Sequence, residues 1–315
     1  MAVIVIGASG YLGEYVVDEL LTQEYDVVAF DLSSSDGIDS RAADSEQLTV
    51  ELGDMCTFAT LSRLLTSYDV EGIIQLAYYG TPENGLLDSA QERPYEASNS
   101  NVKGLNNVIE VARQFDVHSV VWASSTVVYG PPEYYDRLNI QQVNEDSPTA
   151  PTSIYGSCKV LNEDIAAHYR DAYGMNVAGI RLPLIYGPDR YPGAQPFIVE
   201  MFEVAADGGS ITLTNGDTTW DLLYEKDVGP LFVSMLEAVP YNEPVYNVYG
   251  HTVTVSDLAE LAESAGHPDA RIQVDDGSAA VLPAPLDDSR FRDEFSFEPS
   301  YDAESAVNDY LATLQ

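Results

Sequence analysis

The stretch VIVIGASGYLGEYVV, Val3 to Val17, constrains this chain more than any other. Val3–Ile6 is an apolar run that reads as a buried strand. Gly7, Gly10 and Gly13 follow at three-residue spacing, and Tyr11 to Thr22 has helical periodicity. Gly7 permits a tight turn, Gly10 lets a pyrophosphate approach the backbone, and Gly13 lets helix and strand pack closely. The helix then faces the phosphates with unpaired N–H groups and the positive end of its dipole. Ser9, Tyr11 and Leu12 complete the loop that would line such a ligand. The spacing is G-x-x-G-x-x-G rather than G-x-G-x-x-G. The competing reading is a glycine-rich turn with no ligand, and the flanking strand and helix argue against it.

A strand–turn–helix of this kind predicts a parallel sheet, and the rest of the chain keeps the rhythm. Asp26–Asp31 reads as a strand. Gly72–Ala77 and His118–Ser124 are short buried-type runs, with a helix from about Pro94 to Phe115 between them. A longer helix covers Ser153–Gly174, and Asn176–Leu182 is the next strand. The alternation predicts an α/β fold, a Rossmann-type doubly wound parallel sheet. Ser33–Glu46, rich in Ser and Asp, reads as an exposed loop. Past Arg181 the pattern degrades, and Leu182–Pro196, rich in Pro and Gly, reads as loop. Later come helices near Phe197–Ala206 and Lys226–Ala238, a turn at Thr214–Thr218 and a strand in Pro244–Gly250. A further helix has Ser256 as its N-cap, and a last one starts near Asp302. We expect a dinucleotide-binding domain over 1–181, to which 217–250 returns. A smaller C-terminal substrate-binding lobe would comprise 182–216 and 251–315.

Charge narrows the function. The 315 residues include 14 basic and 51 acidic side chains, a net −37. Such a field repels phosphate backbones and anionic lipid, so neither nucleic acid nor a membrane surface is an expected partner. It also destabilises the compact state by self-repulsion unless salt screens it. With only Lys103, Lys159 and Lys226 as lysines, the composition points to a salt-loving organism. Cys56 and Cys158 make no disulfide framework and fit a reducing compartment. No secretory leader or membrane-length apolar run is evident, and the chain reads as cytoplasmic. The four histidines are scattered without ligand spacing, so no metal is expected.

Asp31 ends the second strand, about 20 residues past the glycine loop. An acid there accepts hydrogen bonds from an adenosine ribose and repels a 2′-phosphate. No Arg follows until Arg41, which favours NAD over NADP. Asp54, beside Met55 in LGDM, would reach the adenine amino group; a plain loop acid is the competing reading. Tyr155 and Lys159 lie one helical turn apart and share a face. Such a pair alone is common, and its plain reading is an aromatic–ammonium contact. What raises it is VVWASSTVVYG, Val120–Gly130, where Ser124, Ser125 and Thr126 end an apolar strand at the edge where ligands bind.

GASGYLG, LGDM, QLA, NVKG, SSTVVYG, YGSCK, RLPLIYGP and the tail DDSRFRDEFSFEPSYD together resemble the short-chain dehydrogenase/reductase family, in its extended, epimerase/dehydratase-like branch. The resemblance covers essentially the whole chain. It implies that Tyr155 is the general acid/base and that Lys159, with the positive nicotinamide, lowers its pKa. Lys159 would also hold the nicotinamide ribose, and Ser125 would orient the substrate oxygen. Asn101 would support the active-site helix, while Leu76–Ala77 and Leu182–Pro183 would line the cofactor. The helices over 94–115 and 153–174 match a pair that relatives use to build homodimers, with Ile165, Tyr169 and Tyr173 as apolar contacts.

Departures from the family pattern bear on the substrate. Thr126 and Val127 stand where dehydratases carry an Asp–Glu pair. Leu184 replaces a usual Asn, Trp220 a frequent Arg before Asp221, and Gln75 a frequent His. Substrate contacts would come from Ser125, Thr126, Leu184 and Trp220, with Arg190 or Arg290 as replacement anchors for a diphosphate. The reading is an NAD-dependent enzyme that moves a hydride at a secondary alcohol of a sugar or nucleotide sugar. One alternative is an NAD(P)-dependent dehydrogenase of a free sugar or polyol. Another is a non-catalytic dinucleotide sensor; such proteins typically lose the Tyr or the Lys.

Overall fold

Runs of apolar residues four to seven long do what fully buried parallel strands require. The computed structural model describes residues 1–81, 84–190, 195–278 and 285–314. Its strands are β1 (Ala2–Ile6), β2 (Asp26–Asp31), β3 (Leu48–Leu52), β4 (Val70–Gln75), β5 (Ser119–Ser125) and β6 (Val177–Leu182). Then come β7 (Leu184–Tyr186), β8 (Gly209–Leu213), β9 (Thr219–Tyr224), β10 (Val245–Asn247), β11 (His251–Thr254) and β12 (Ala270–Val274). The helices are α1 (Tyr11–Thr22), α2 (Asp36–Asp44), α3 (Phe58–Ser67), α4 (Gly85–Glu92), α5 (Pro94–Ser98), α6 (Leu105–Gln114) and α7 (Pro132–Asp136). They continue with α8 (Ile154–Tyr173), α9 (Pro196–Asp207), α10 (Val228–Glu237), α11 (Val255–Ala265), α12 (Ser289–Glu294) and α13 (Ala303–Leu314).

Seven strands form one parallel sheet in the order β10-β6-β5-β4-β1-β2-β3, the Rossmann-type doubly wound arrangement. The chain leaves β1 for β2 and β3 on one side, then crosses to β4 on the other. Ile6, the last residue of β1, is in register with Phe30 of β2 and Gln75 of β4. That reversal is the switch point at which such sheets open a crevice beyond their carboxyl ends. Both faces of the sheet are covered. Val16, Val17 and Leu20 of α1 and Phe232 of α10 cover one. Leu61 and Leu64 of α3, Val108 and Ile109 of α6 and Ala166 of α8 cover the other.

Beyond β6 the chain builds a second apolar cluster. A three-strand sheet, β11-β9-β7, and a two-strand pair, β12-β8, pack with α9, α11 and α13. Phe202 and Tyr310 stack there at 3.9 Å, beside Tyr186, Trp220 and Tyr224.

Four local expectations are corrected. Residues 36–44 are helix α2, not loop, because Ser35 caps Ile38 N–H and Ile38 is buried as an anchor. Leu184–Tyr186 is strand β7, since Leu184 to Tyr186 pair in register with Leu222 to Tyr224; residues 191–194 of that expected loop lie outside the described residues. Thr254 rather than Ser256 caps α11, accepting from Asp257 N–H at 3.0 Å. The helix over 94–115 is α5, a π-helical turn at Asn99–Gly104, and α6.

Candidate active site

The glycine loop has the shape that its sequence demands. Gly7 has φ +88°, and a Cβ there would sit 2.6 Å from the backbone N of Ala77. A Cβ on Gly13 would lie 2.1 Å from the carbonyl of Gly7, so only glycine lets α1 start against β1. Gly10 is exposed and is the N-cap of α1, and it offers no side chain to the first turn. Leu76 and Ala77 flank this turn, both donating to the Ile6 carbonyl, at 2.8 and 3.1 Å. Asp31 closes the loop from the other side: its carboxylate accepts from Ser9 N–H at 3.1 Å and Leu32 N–H at 2.7 Å. Burial raises the Asp31 pKa. Asp54 turns back on Cys56 N–H at 2.8 Å, and Met55 packs inward against the face that Gly104 leaves open. Leu12 packs on the core, while Tyr11 and Tyr15 both donate to Glu225 at 2.6 Å.

These residues fit a dinucleotide. Gly7 and Gly13 let the turn and α1 pack against backbone that a Cβ would strike, the exposed Gly10 leaves the start of α1 without a side chain, and the Asp31 oxygens keep lone pairs for ribose hydroxyls.

Ser153 caps α8 by accepting from Gly156 N–H at 3.0 Å. A Cβ on Gly156 would lie 2.4 Å from the Val127 carbonyl. The glycine therefore seats the start of α8, and Tyr155 with it, against the turn that follows β5. Ser125 caps that turn, its Oγ 3.4 Å from Val127 N. Tyr155 and Lys159 are both buried, at 5% and 0% exposure. Lys159 Nζ donates to the Ala123 carbonyl at 2.5 Å and lies 5.1 Å from the Tyr155 ring centroid. Burial, with a smaller contribution from Cys158, pushes the Tyr155 phenol up; burial pushes the Lys159 amine well down. Asn101 sits in the π turn. Its carbonyl accepts from Asn162 of α8 at 2.8 Å, and its Oδ1 accepts from Tyr79 N–H at 2.7 Å.

A cavity of about 290 Å³ is lined by Thr126, Pro183, Leu184 and Trp220, with Asp136, Asp217 and Asp221 among its walls; Tyr155, Lys159 and Ser125 are not among its described lining residues. Arg190 and Arg290 are not among the described lining residues. Arg190 donates to the Ile185 carbonyl at 2.7 Å and lies near Tyr11 and Glu225. Arg290 is held by Asp146 at 2.9 Å, with Glu145 and Glu243 near it.

The model of the NAD-dependent epimerase/dehydratase family matches residues 3–248. The chain belongs to this family. It is 32% identical to the UDP-glucose 4-epimerase of Mycolicibacterium smegmatis over 238 residues, 74% of this chain and 72% of that protein. Solved structures share the fold across the chain. The UDP-glucose 4-epimerase of Thermotoga maritima with UDP-glucose superposes at TM-score 0.84, with 21% identity and complete coverage of both chains. The L-threonine 3-dehydrogenase of Trypanosoma brucei superposes at 0.84, with 21% identity over 99% of this chain and 96% of that one.

Several contributors to this site escape a reading of the sequence. Glu163, one turn beyond Lys159, is hidden among many acids; it accepts from Ser124 Oγ at 2.6 Å and pairs with Arg181. Gly156 had a visible signal, a glycine inside the first turn of a helix. Tyr78 follows QLA and lies against Lys159, its ring centroid 2.9 Å from Nζ. Among the described residues no cluster of three or more His, Cys, Asp or Glu could hold a metal. No described helix is long and apolar enough to cross a membrane.

Proposed function

We propose that this family member moves a hydride between NAD and a secondary alcohol of a small carbohydrate-type substrate. One observation carries the reading: α8 sets Tyr155 and Lys159 against the Ser125 turn, at the carboxyl edge next to the glycine cradle. NAD, when bound, supplies the hydride acceptor. The chain's own residues do the rest. Tyr155 exchanges the proton of the reacting oxygen, Ser125 orients that oxygen by hydrogen bonding, and Lys159 supplies a ribose contact. The absence of an acid–base pair at Thr126 and Val127 argues against dehydration.

NAD is preferred over NADP, because the Asp31 carboxylate stands at the strand end and Arg41 is spent on Glu14, at 2.8 Å, and on Asp18. A 2′-phosphate would meet a carboxylate there with no free guanidinium beside it.

The cavity favours a free sugar or polyol over a nucleotide sugar. Its described walls carry three carboxylates and no Lys or Arg. A diphosphate would be desolvated there without a cation. The buried Trp220 indole N–H has no partner among the described residues, and suits a substrate hydroxyl. Rates of NAD reduction across free sugars, polyols and UDP-sugars, with UDP as competitor, test this. Turnover of a free polyol without inhibition by UDP is expected; turnover confined to UDP-sugars would overturn it.

The protein would work in the cytoplasm, as a homodimer built on α6 and α8. Leu161 and Tyr173 are 48% and 55% exposed on α8, while Ile165 and Tyr169 turn toward the core. A monomer mass by light scattering at molar salt would contradict the dimer.

A further inference from the structure

Lys159 is fully buried, yet the proposed function asks it to hold a ribose. What covers it is Tyr78, in the turn after β4. The Tyr78 ring centroid lies 2.9 Å from Nζ, closer than the rings of Tyr155 at 5.1 Å and Trp122 at 5.9 Å. On another side Nζ donates to the Ala123 carbonyl at 2.5 Å. A ring face at that distance leaves no room for a hydroxyl between it and the ammonium, so ribose and ring compete for the same side of Nζ.

The Tyr78 hydroxyl has a weakness of its own. It is buried with no hydrogen-bond partner among the described residues, an arrangement that disfavours the covering position. The ring meets Tyr155 edge-on, with centroids 6.2 Å apart, so it touches both members of the pair. The backbone beside it is held: Tyr79 N–H donates to Asn101 Oδ1, and the Asn101 carbonyl accepts from Asn162 on α8. Uncovering Lys159 then calls for rotation of the Tyr78 side chain rather than movement of the backbone beside it.

We propose that Tyr78 belongs to the dinucleotide site and gates Lys159: its ring leaves the ammonium before a ribose reaches it. This rests on the reading that Lys159 holds the ribose. The apparent NAD affinity is then the affinity of the uncovered form reduced by the fraction uncovered. Taking the ring away should tighten binding, whereas deleting a contact that only packs the site would weaken it.

Calorimetric titration of NAD into full-length protein at molar salt tests the gate. Wild type, Tyr78→Ala, Tyr78→Phe, Lys159→Met and the double variant Tyr78→Ala/Lys159→Met are compared, each with its melting curve. Tyr78→Ala should bind NAD about fivefold tighter or more. Tyr78→Phe keeps the ring and removes the unpaired hydroxyl, so it should cover Lys159 at least as well and bind NAD no tighter than wild type. In the Lys159→Met background the alanine should give no gain. A folded Tyr78→Ala protein with unchanged or weaker affinity overturns the gate alone. A Lys159→Met protein that binds as tightly as wild type overturns the ribose reading, and the gate with it. A second measurement needs no variant. Stopped-flow quenching of tryptophan fluorescence in wild type should give a rate that levels off as NAD increases, because opening precedes binding. A rate strictly proportional to NAD contradicts the gate.

Discussion

Glu163 Oε2 lies 2.7 Å from Arg181 Nη2, both side chains buried, one turn below Lys159. Glu163 Oε1 also accepts from Arg181 Nε at 3.0 Å and Ser124 Oγ at 2.6 Å, which binds α8 to the ends of β5 and β6. Arg181 Nη1 continues to the Tyr129 hydroxyl at 2.5 Å. Glu163→Ala leaves a buried guanidinium unpaired and should cost about 3–5 kcal/mol of folding stability. Urea unfolding at molar salt measures it. A loss below about 1 kcal/mol, the scale of exposed ion pairs, would mean that water reaches Arg181.

Gly156→Ala adds a Cβ 2.4 Å from the Val127 carbonyl, which is backbone and cannot swing aside. The start of α8 must shift, and Tyr155 shifts with it. Turnover should fall by about 10²-fold, the scale set by a misplacement near 1 Å. NAD affinity, set mainly at the glycine loop, should change far less. Equal losses in both quantities would show that the substitution deforms the sheet edge as a whole.

Burial holds the Tyr155 phenol above its ordinary range, so the neutral form dominates across neutral pH. A proton donor is then present throughout, and carbonyl reduction should be nearly flat between pH 6 and 9. Alcohol oxidation needs the phenolate, whose fraction rises about tenfold per pH unit below the pKa. Its kcat/KM should climb through the same window. Initial rates in both directions check the sign, and an oxidation rate already level at pH 7 would contradict it.

Some of this was legible in the sequence and some was not, for physical reasons. β1, the glycine loop and α1 are local features, with strand, turn and helix each written in consecutive residues. The pairing of Tyr155 with the Ser125 turn is not local, yet the helix periodicity and the strand end placed both on the sheet's carboxyl edge. Leu184–Tyr186 was hidden because Pro183 and Gly187 bracket a strand of only three residues, whose partners lie at Leu222–Tyr224. Helix α2 was hidden because Ile38 is its single buried residue among Ser and Asp. Tyr78 gives no sign in sequence of which side chain its ring will meet; only the packing of the turn after β4 against Lys159 of α8 shows that.

The net charge of −37 predicts dependence on salt. Screening shortens from about 10 Å at 0.1 M to about 3 Å at 1 M, so repulsion among exposed acids should fade over that range. Most acids lack a cationic partner, since 14 basic residues face 51. Melting temperature should rise steeply between these concentrations. A flat melting temperature would show that the acids are spaced widely enough not to matter, and would leave a saline cytoplasm without support.

Tyr155 as the proton-transfer group is the central claim, and Tyr155→Phe tests it most directly. The substitution keeps the ring that packs beside Tyr78 and Lys159 and removes only the hydroxyl. Turnover on the identified substrate should fall by about 10²–10⁴-fold, the usual scale for a lost general acid/base. NAD binding by calorimetry and the melting temperature should stay near wild type. A Tyr155→Phe enzyme with full turnover would contradict this role and leave dinucleotide sensing as the better reading of the fold.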